Sequence, residues 1–158
     1  MAIYMKFGSI AGQVTTEGFK DWIECSSFQF GVGRGVSSGG GGATREGSNP
    51  SISEVTVTKI FDVASSKLYQ DALAGTFNTK VDLKFTTTTK NTVGTFLHYE
   101  LTNCGVSGYS LSTGGDNPTE SISLNFSKVM VSPSPLDTAG TPKAGAKVTY
   151  DLLAMKAS

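Results

Sequence analysis

The chain has 158 residues, 38% of them hydrophobic and 16% charged, and its 13 basic side chains balance 13 acidic ones. That length fits one domain around one core, and zero formal charge leaves no global field to hold nucleic acid or an anionic membrane. The charged fraction lies below the roughly 25% usual for soluble domains, so abundant Gly, Ser and Thr point to turns and polar strand faces, and weak self-repulsion permits association.

In chain order, period-two alternation dominates. Ile3, Met5 and Phe7 alternate with Tyr4 and Lys6. A second strand is predicted from Trp22 to Phe30. Val55 and Val57 then alternate with Glu54, Thr56 and Thr58. From Asp62 to Ala74 the period changes: Ala64, Leu68 and Ala72 recur at helical spacing with Leu73 alongside. Asp62 or Ser65 is placed to cap that helix, and Gly75 falls where a left-handed C′ residue is expected. Strands resume with Val81, Leu83 and Phe85, then with Leu97, Tyr99 and Leu101 opposite Phe96, His98 and Glu100. Further strands are predicted at Val106 to Ser112, Ser121 to Ser127 and Lys147 to Asp151. Successive strand side chains point to opposite faces, so the pattern predicts a mainly β fold: an antiparallel β-barrel of two sheets with one short flanking α-helix. All of 1–158 forms one domain. Two stretches read as irregular: the Gly/Ser-rich segment 31–50, an excursion between clear strands, and the Pro/Gly-rich segment 132–146.

The residues that could carry chemistry are sparse. The single histidine, His98, lies in the polar phase of a strand and reads as a surface or interface residue; no HExxH, CxxC or EF-hand pattern occurs. Cys25 and Cys104 read as buried thiols, and sequence leaves open whether they pair. Gly31-Val32-Gly33-Arg34-Gly35 lacks the GxxxxGK continuation of a phosphate loop, and Val36 stands where a dinucleotide fingerprint needs its last Gly. Glu24, Glu54, Asp82, Glu100 and Glu120 lie on strands or their ends, but no spacing nominates an acid/base pair. Neither a catalytic residue, a cofactor nor a metal site is therefore assigned. No basic n-region with an apolar h-region opens the chain, and no apolar run approaches a membrane span. Cytoplasmic folding without a signal peptide is expected, with no membrane insertion and no nucleic acid partner.

The opening AIYMKFGSIAGQV, the segments WIECSSFQFGVGRG and SEVTVTKIFDVASSKLYQDALAG, and STGGDNPTESISLNFSKV resemble the Hcp family of type VI secretion tube proteins. The resemblance runs in order from residue 1 to about 131 and includes the final strand KVTYDL. Its most specific pieces are the T-K-x-x-D-x-x-S run before the helix and the P-T-E-S segment that leads into S-L-N-F. Segment 132–146 departs from shorter family members.

The resemblance implies a structural, non-enzymatic subunit. Six copies would form a homohexameric ring, and stacked rings would form a tube inside a contractile sheath. A spike protein would cap that tube, and its lumen would carry small effectors out of the cell. It implies that segment 31–50 reaches toward the adjacent ring, which nominates Gly31, Gly33, Arg34, Ser37, Gly40, Arg45, Glu46 and Asn49 for ring stacking, with poor order expected when unstacked. It also places the strand around Phe28 in the lumen wall. Phe28 and Phe30 share the core phase, so Ser27 and Gln29 are candidates for effector contact. Alternation gives the phase and not the neighbour, so ordinary solvent-facing positions are an equal reading. The rival functions are a carbohydrate-binding β-sandwich, which calls for aromatics clustered on one polar face, and a hydrolase, which calls for a nominated acid/base pair. Tyr4, Trp22, Tyr109 and Tyr150 are dispersed in the sequence.

Overall fold

A computed structural model describes residues 1–37, 45–137 and 139–158. The chain begins with β1 (Ala2–Phe7), β2 (Ile23–Cys25) and β3 (Ser27–Gln29). Four two-residue strands follow in the excursion: β4 (Val32–Gly33), β5 (Val36–Ser37), β6 (Glu46–Gly47) and β7 (Ser51–Ile52). Next come β8 (Val55–Ile60), α1 (Ser65–Ala74), β9 (Thr79–Thr89) and β10 (Thr92–Ser112). The chain finishes with β11 (Thr119–Asn125), β12 (Lys128–Pro133), β13 (Val148–Asp151) and β14 (Lys156–Ala157).

The main path of antiparallel pairs runs β2-β1-β9-β10-β11-β8-β3, and β12, β13 and β14 continue from the first half of β10. The 21-residue β10 belongs to both sheets, pairing β9 and β12 early and β11 late. β9 turns into β10 at Lys90 and Asn91, both at positive φ (50° and 63°), the type I′ geometry that matches strand twist. The ladder does not close into a complete barrel. β2 pairs β1, β3 pairs β8, and the break falls at Ser26, whose amide donates to the Thr58 carbonyl at 2.7 Å. The predicted strand from Trp22 to Phe30 is thus two short strands that serve different neighbours.

The apolar phases meet in one core. Ile3, Met5, Phe7, Val55, Val57, Val81, Leu83, Leu101, Ile122 and Leu124 are all buried, each contributing on the order of 1.5–3 kcal/mol by transfer from water. Tyr4 departs from simple alternation. It is buried on the opposite face by the segment after β1, packing with Phe19 at 4.8 Å and sharing a hydrogen bond with Thr16. Phe96 also departs: a register shift between Thr95 and Leu97 turns it from the polar phase toward the core, 6.4 Å from Phe85.

The helix starts at Ser65. Asp62 Oδ1 accepts from the Ala64 amide at 2.9 Å, and the Asp62 amide donates to Ser65 Oγ at 2.9 Å. Leu68 is buried beneath it, whereas Leu73 is exposed. Gly75 is not left-handed as expected; its backbone is extended at φ −68° and ψ 153°. Glycine is required there for space, because a Cβ would lie 2.5 Å from the Asp71 carbonyl oxygen. No helix among the described residues is long and apolar enough to cross a membrane.

Candidate assembly and cargo surfaces

Two sequence motifs meet inside the molecule. Lys59 and Glu120 are both fully buried, on adjacent strands, as the partners Glu120↔Lys59. The Lys59 ammonium donates to Glu120 Oε2 at 3.0 Å, Asp62 Oδ1 at 2.8 Å, Ser65 Oγ at 3.2 Å and the Ile60 carbonyl at 3.0 Å. Tyr109 donates to the other Glu120 oxygen at 2.9 Å. Burial and this carboxylate push the Tyr109 phenol up to about 12. Buried charges are tolerated only when paired and hydrogen-bonded, which is why Lys59, Asp62, Ser65 and the distant Glu120 converge here. The sequence showed both motifs but not that they form one site.

The outward face of β3, β8, β11 and late β10 carries two uncharged rows, bounded by the exposed carboxylate of Glu54, which accepts from Ser107 Oγ and from Asn125 Nδ2. One cross-strand row holds Ser27, Thr58, Ser121 and Ser110; the next holds Gln29, Thr56, Ser123 and Gly108. Ser27 and Gln29 are exposed as predicted, and the hydroxyls of Ser27 and Thr58 meet at 2.5 Å. Behind them Phe28 lies 4.8 Å from Tyr99 and 5.0 Å from Phe85, and Phe30 lies 5.6 Å from Tyr99.

The other sheet presents charge. Asp82 and Glu100 face one another across β9 and β10, an arrangement that destabilises unless a cation intervenes. Lys80 lies 3.9 and 3.7 Å from them, and His98 Nε2 lies 2.8 Å from Asp82. Burial works against the Asp82 carboxylate, yet the His98 hydrogen bond and the neighbouring cations hold its pKa below the ordinary value. His98, Asp82 and Glu100 could offer ligand atoms within 4.8 Å of one another, but Lys80 supplies the positive charge. His98 is therefore a half-buried member of a surface polar network, hydrogen-bonded to a carboxylate. Trp22 lies beneath the ammonium groups of Lys84 (5.4 Å) and Lys6 (6.0 Å) and edge-on to Phe19, which gives it packing partners in place of an open sugar platform. Cys25 and Cys104 are unpaired and buried, and burial pushes both thiols up to about 12.

The excursion is more regular than its composition suggests. The Gly31 amide donates to Ser53 Oγ at 2.8 Å, Val32 and Gly33 pair with Ile52 and Ser51, and Val36 and Ser37 pair with Gly47 and Glu46. Between these two ladders, Arg34 Nε donates to the Ser48 carbonyl at 2.9 Å and the Gly35 amide to Ser48 Oγ at 3.0 Å. A Cβ at residue 47 would lie 2.1 Å from the Arg34 guanidinium, so a side chain there would displace that flexible group. Gly31, Gly33, Arg34, Ser37, Arg45 and Asn49 are all exposed, and Asn49 Nδ2 reaches Met155 Sδ at 3.9 Å. Gly40 lies outside the described residues.

The profile of the family described as type VI secretion system effector, Hcp, matches residues 4–132. The chain belongs to the Hcp family. Among solved structures, an Hcp-like chain described as a type six secretion system protein is 29% identical, with 99% of each chain covered and a TM-score of 0.87. Hcp1 from Salmonella typhimurium shares the fold at 21% identity, 100% coverage of both chains and a TM-score of 0.75. A type VI secretion system effector from Yersinia pestis shares it at 16% identity, 94% and 98% coverage and a TM-score of 0.73. Among curated proteins no sequence match is found. The T-K-x-x-D-x-x-S and P-T-E-S segments meet at Lys59 and Glu120, and nothing favours the carbohydrate-binding alternative.

Proposed function

We propose that this type VI secretion tube subunit assembles as a homohexameric ring whose hydroxyl-rich face, with its two uncharged rows, lines the lumen. The observation that carries this reading is the pair of cross-strand rows through Ser27 and Gln29, which hold no charged side chain across four strands. A hydroxyl-bearing wall hydrogen-bonds to water and to cargo alike, so it holds an effector weakly and releases it. Ser27 and Gln29 are the effector contacts. Ring contacts of this kind are heterologous, and their repetition along an axis gives an open filament. The described part of 31–50, with Gly31, Gly33, Arg34, Ser37, Arg45 and Asn49, makes the ring-to-ring contact. The stacked tube sits inside the contractile sheath, bears the spike protein at its tip and leaves the cytoplasm with its effectors. The subunit's role is structural, and no reaction is assigned to it.

Size-exclusion chromatography with negative-stain microscopy tests this reading. Rings with an open pore are expected, and a compact monomer at every concentration overturns it. Gln29→Arg should change retention of at least one lumenal effector in a co-purification assay; unchanged binding of every effector removes Ser27 and Gln29 from the cargo surface.

A further inference from the structure

The excursion and the break in the barrel lie at opposite ends of β8. The excursion leaves β3 after Gln29, which pairs with Thr56, and re-enters just before Val55. At the other end of β8, the ladder with β3 stops at Ser27↔Thr58, and the two edges part. There a notch of about 350 Å³ opens, lined by Gln13, Glu24 and Ser26 on one side and Ile60, Phe61 and Asp62 on the other.

The two ends are complementary in two independent respects. Both arginines of the chain, Arg34 and Arg45, lie in the excursion; every other basic side chain that is always charged is a lysine. The notch offers two carboxylates, Glu24 and Asp62. Asp62 gives Oδ1 to Lys59 and the Ala64 amide, and a carboxylate has a second oxygen for a further donor. Arginine is the side chain suited to such planar acceptors. Apolar surface matches as well: Val32 and Val36 are 58% and 60% exposed on the excursion, and Ile60 and Phe61 are 53% and 54% exposed at the notch.

We propose that the notch at the barrel break receives the excursion of a second copy, with Arg34 and Arg45 pairing to Glu24 and Asp62. The inference rests on the stacked-ring reading and adds to it the receiving site and its chemistry. Because giver and receiver lie at opposite ends of one strand, the contact is head-to-tail and repeats without closing.

The test uses the full-length protein and follows ring-ring association by analytical ultracentrifugation and electron microscopy. Glu24→Lys should leave single rings intact and lower ring-ring association by about tenfold or more, since exposed charge repulsion is multiplied around the ring. Arg34→Glu with Arg45→Glu should do the same. Combining Glu24→Lys with whichever single reversal, Arg34→Glu or Arg45→Glu, faces it should restore stacking, because the other arginine still meets Asp62, and raised salt should weaken stacking of the wild type. Normal stacking by Glu24→Lys, or no recovery in either double variant, overturns the proposal. Wild-type rings that never stack overturn it too while leaving the ring itself standing; absence of rings overturns the underlying reading.

Discussion

Lys59 is the residue on which the interior depends most. Its charge is fully buried and divided among Glu120, Asp62, Ser65 and the Ile60 carbonyl. Removing one partner of a buried pair leaves an uncompensated charge, at a cost of about 3–5 kcal/mol. Glu120→Ala leaves Asp62 as the remaining carboxylate of Lys59 and takes the acceptor from Tyr109, so it should lower the unfolding free energy by about 3 kcal/mol, the low end of that range, in urea melts at fixed protein concentration. Asp82 is the residue through which acid acts on the charged sheet. Its folded pKa lies below the ordinary 3.8, so its contribution is complete above that value and fades as pH falls through the folded pKa. Asp82→Asn should flatten the acid limb of a stability-pH curve and leave the shape of the neutral region unaltered. The two thiols should be silent in the native protein. With both pushed up to about 12 and buried, Cys25 and Cys104 should resist a thiol reagent at pH 8 and react only when the chain unfolds; rapid native labelling would contradict this.

Among the elements, α1 is tied to the sheets by more than Leu68. Asp71 Oδ2 accepts the Val106 amide at 2.8 Å, beside the register shift between Val106 and Gly108. Asp71→Ala should cost about 1.5–3 kcal/mol, the value of a charged hydrogen bond to a part-buried donor, read from the thermal midpoint at fixed concentration. The strands and the helix were legible because alternation and helical spacing follow directly from backbone geometry. What escaped was set by tertiary pairing. Ser26 breaks a strand because two different neighbours claim its halves, and Phe96 changes face because a bulge adds one residue. Gly75 carries the signature of a left-handed cap, but crowding by Asp71 is the reason it must be glycine. β12 was missed although Val129 and Val131 alternate with Met130, because the following Pro/Gly-rich segment obscured its end. The outward phase of Ser27 and Gln29 was readable, whereas the uncharged rows they belong to needed the registers of β8, β11 and β10. The excursion's ladders were hidden by its Gly/Ser composition, which predicts freedom and says nothing of pairing.

At the scale of the molecule, one sheet presents Lys6, Lys80, Asp82, Lys84, His98 and Glu100, and the other presents rows of Ser, Thr and Gln with Glu54 at their border. Zero net charge therefore conceals a strong division between faces. Deleting 31–50 and joining β3 to β8 by a short turn should spare single rings and abolish long tubes; tubes of normal length from that variant would contradict the assignment of the excursion to stacking. A further consequence follows from β8 itself. In the proposed stack, a tube pushed forward by a sheath would be loaded in compression along its axis. In each subunit two paired extended segments join the excursion to the barrel break, the three residues of β3 and the six residues of β8. Thrust delivered at one end would thus travel along an extended backbone braced by β11 and β3, and the Lys59–Glu120 pair sits as an anchor where that column ends.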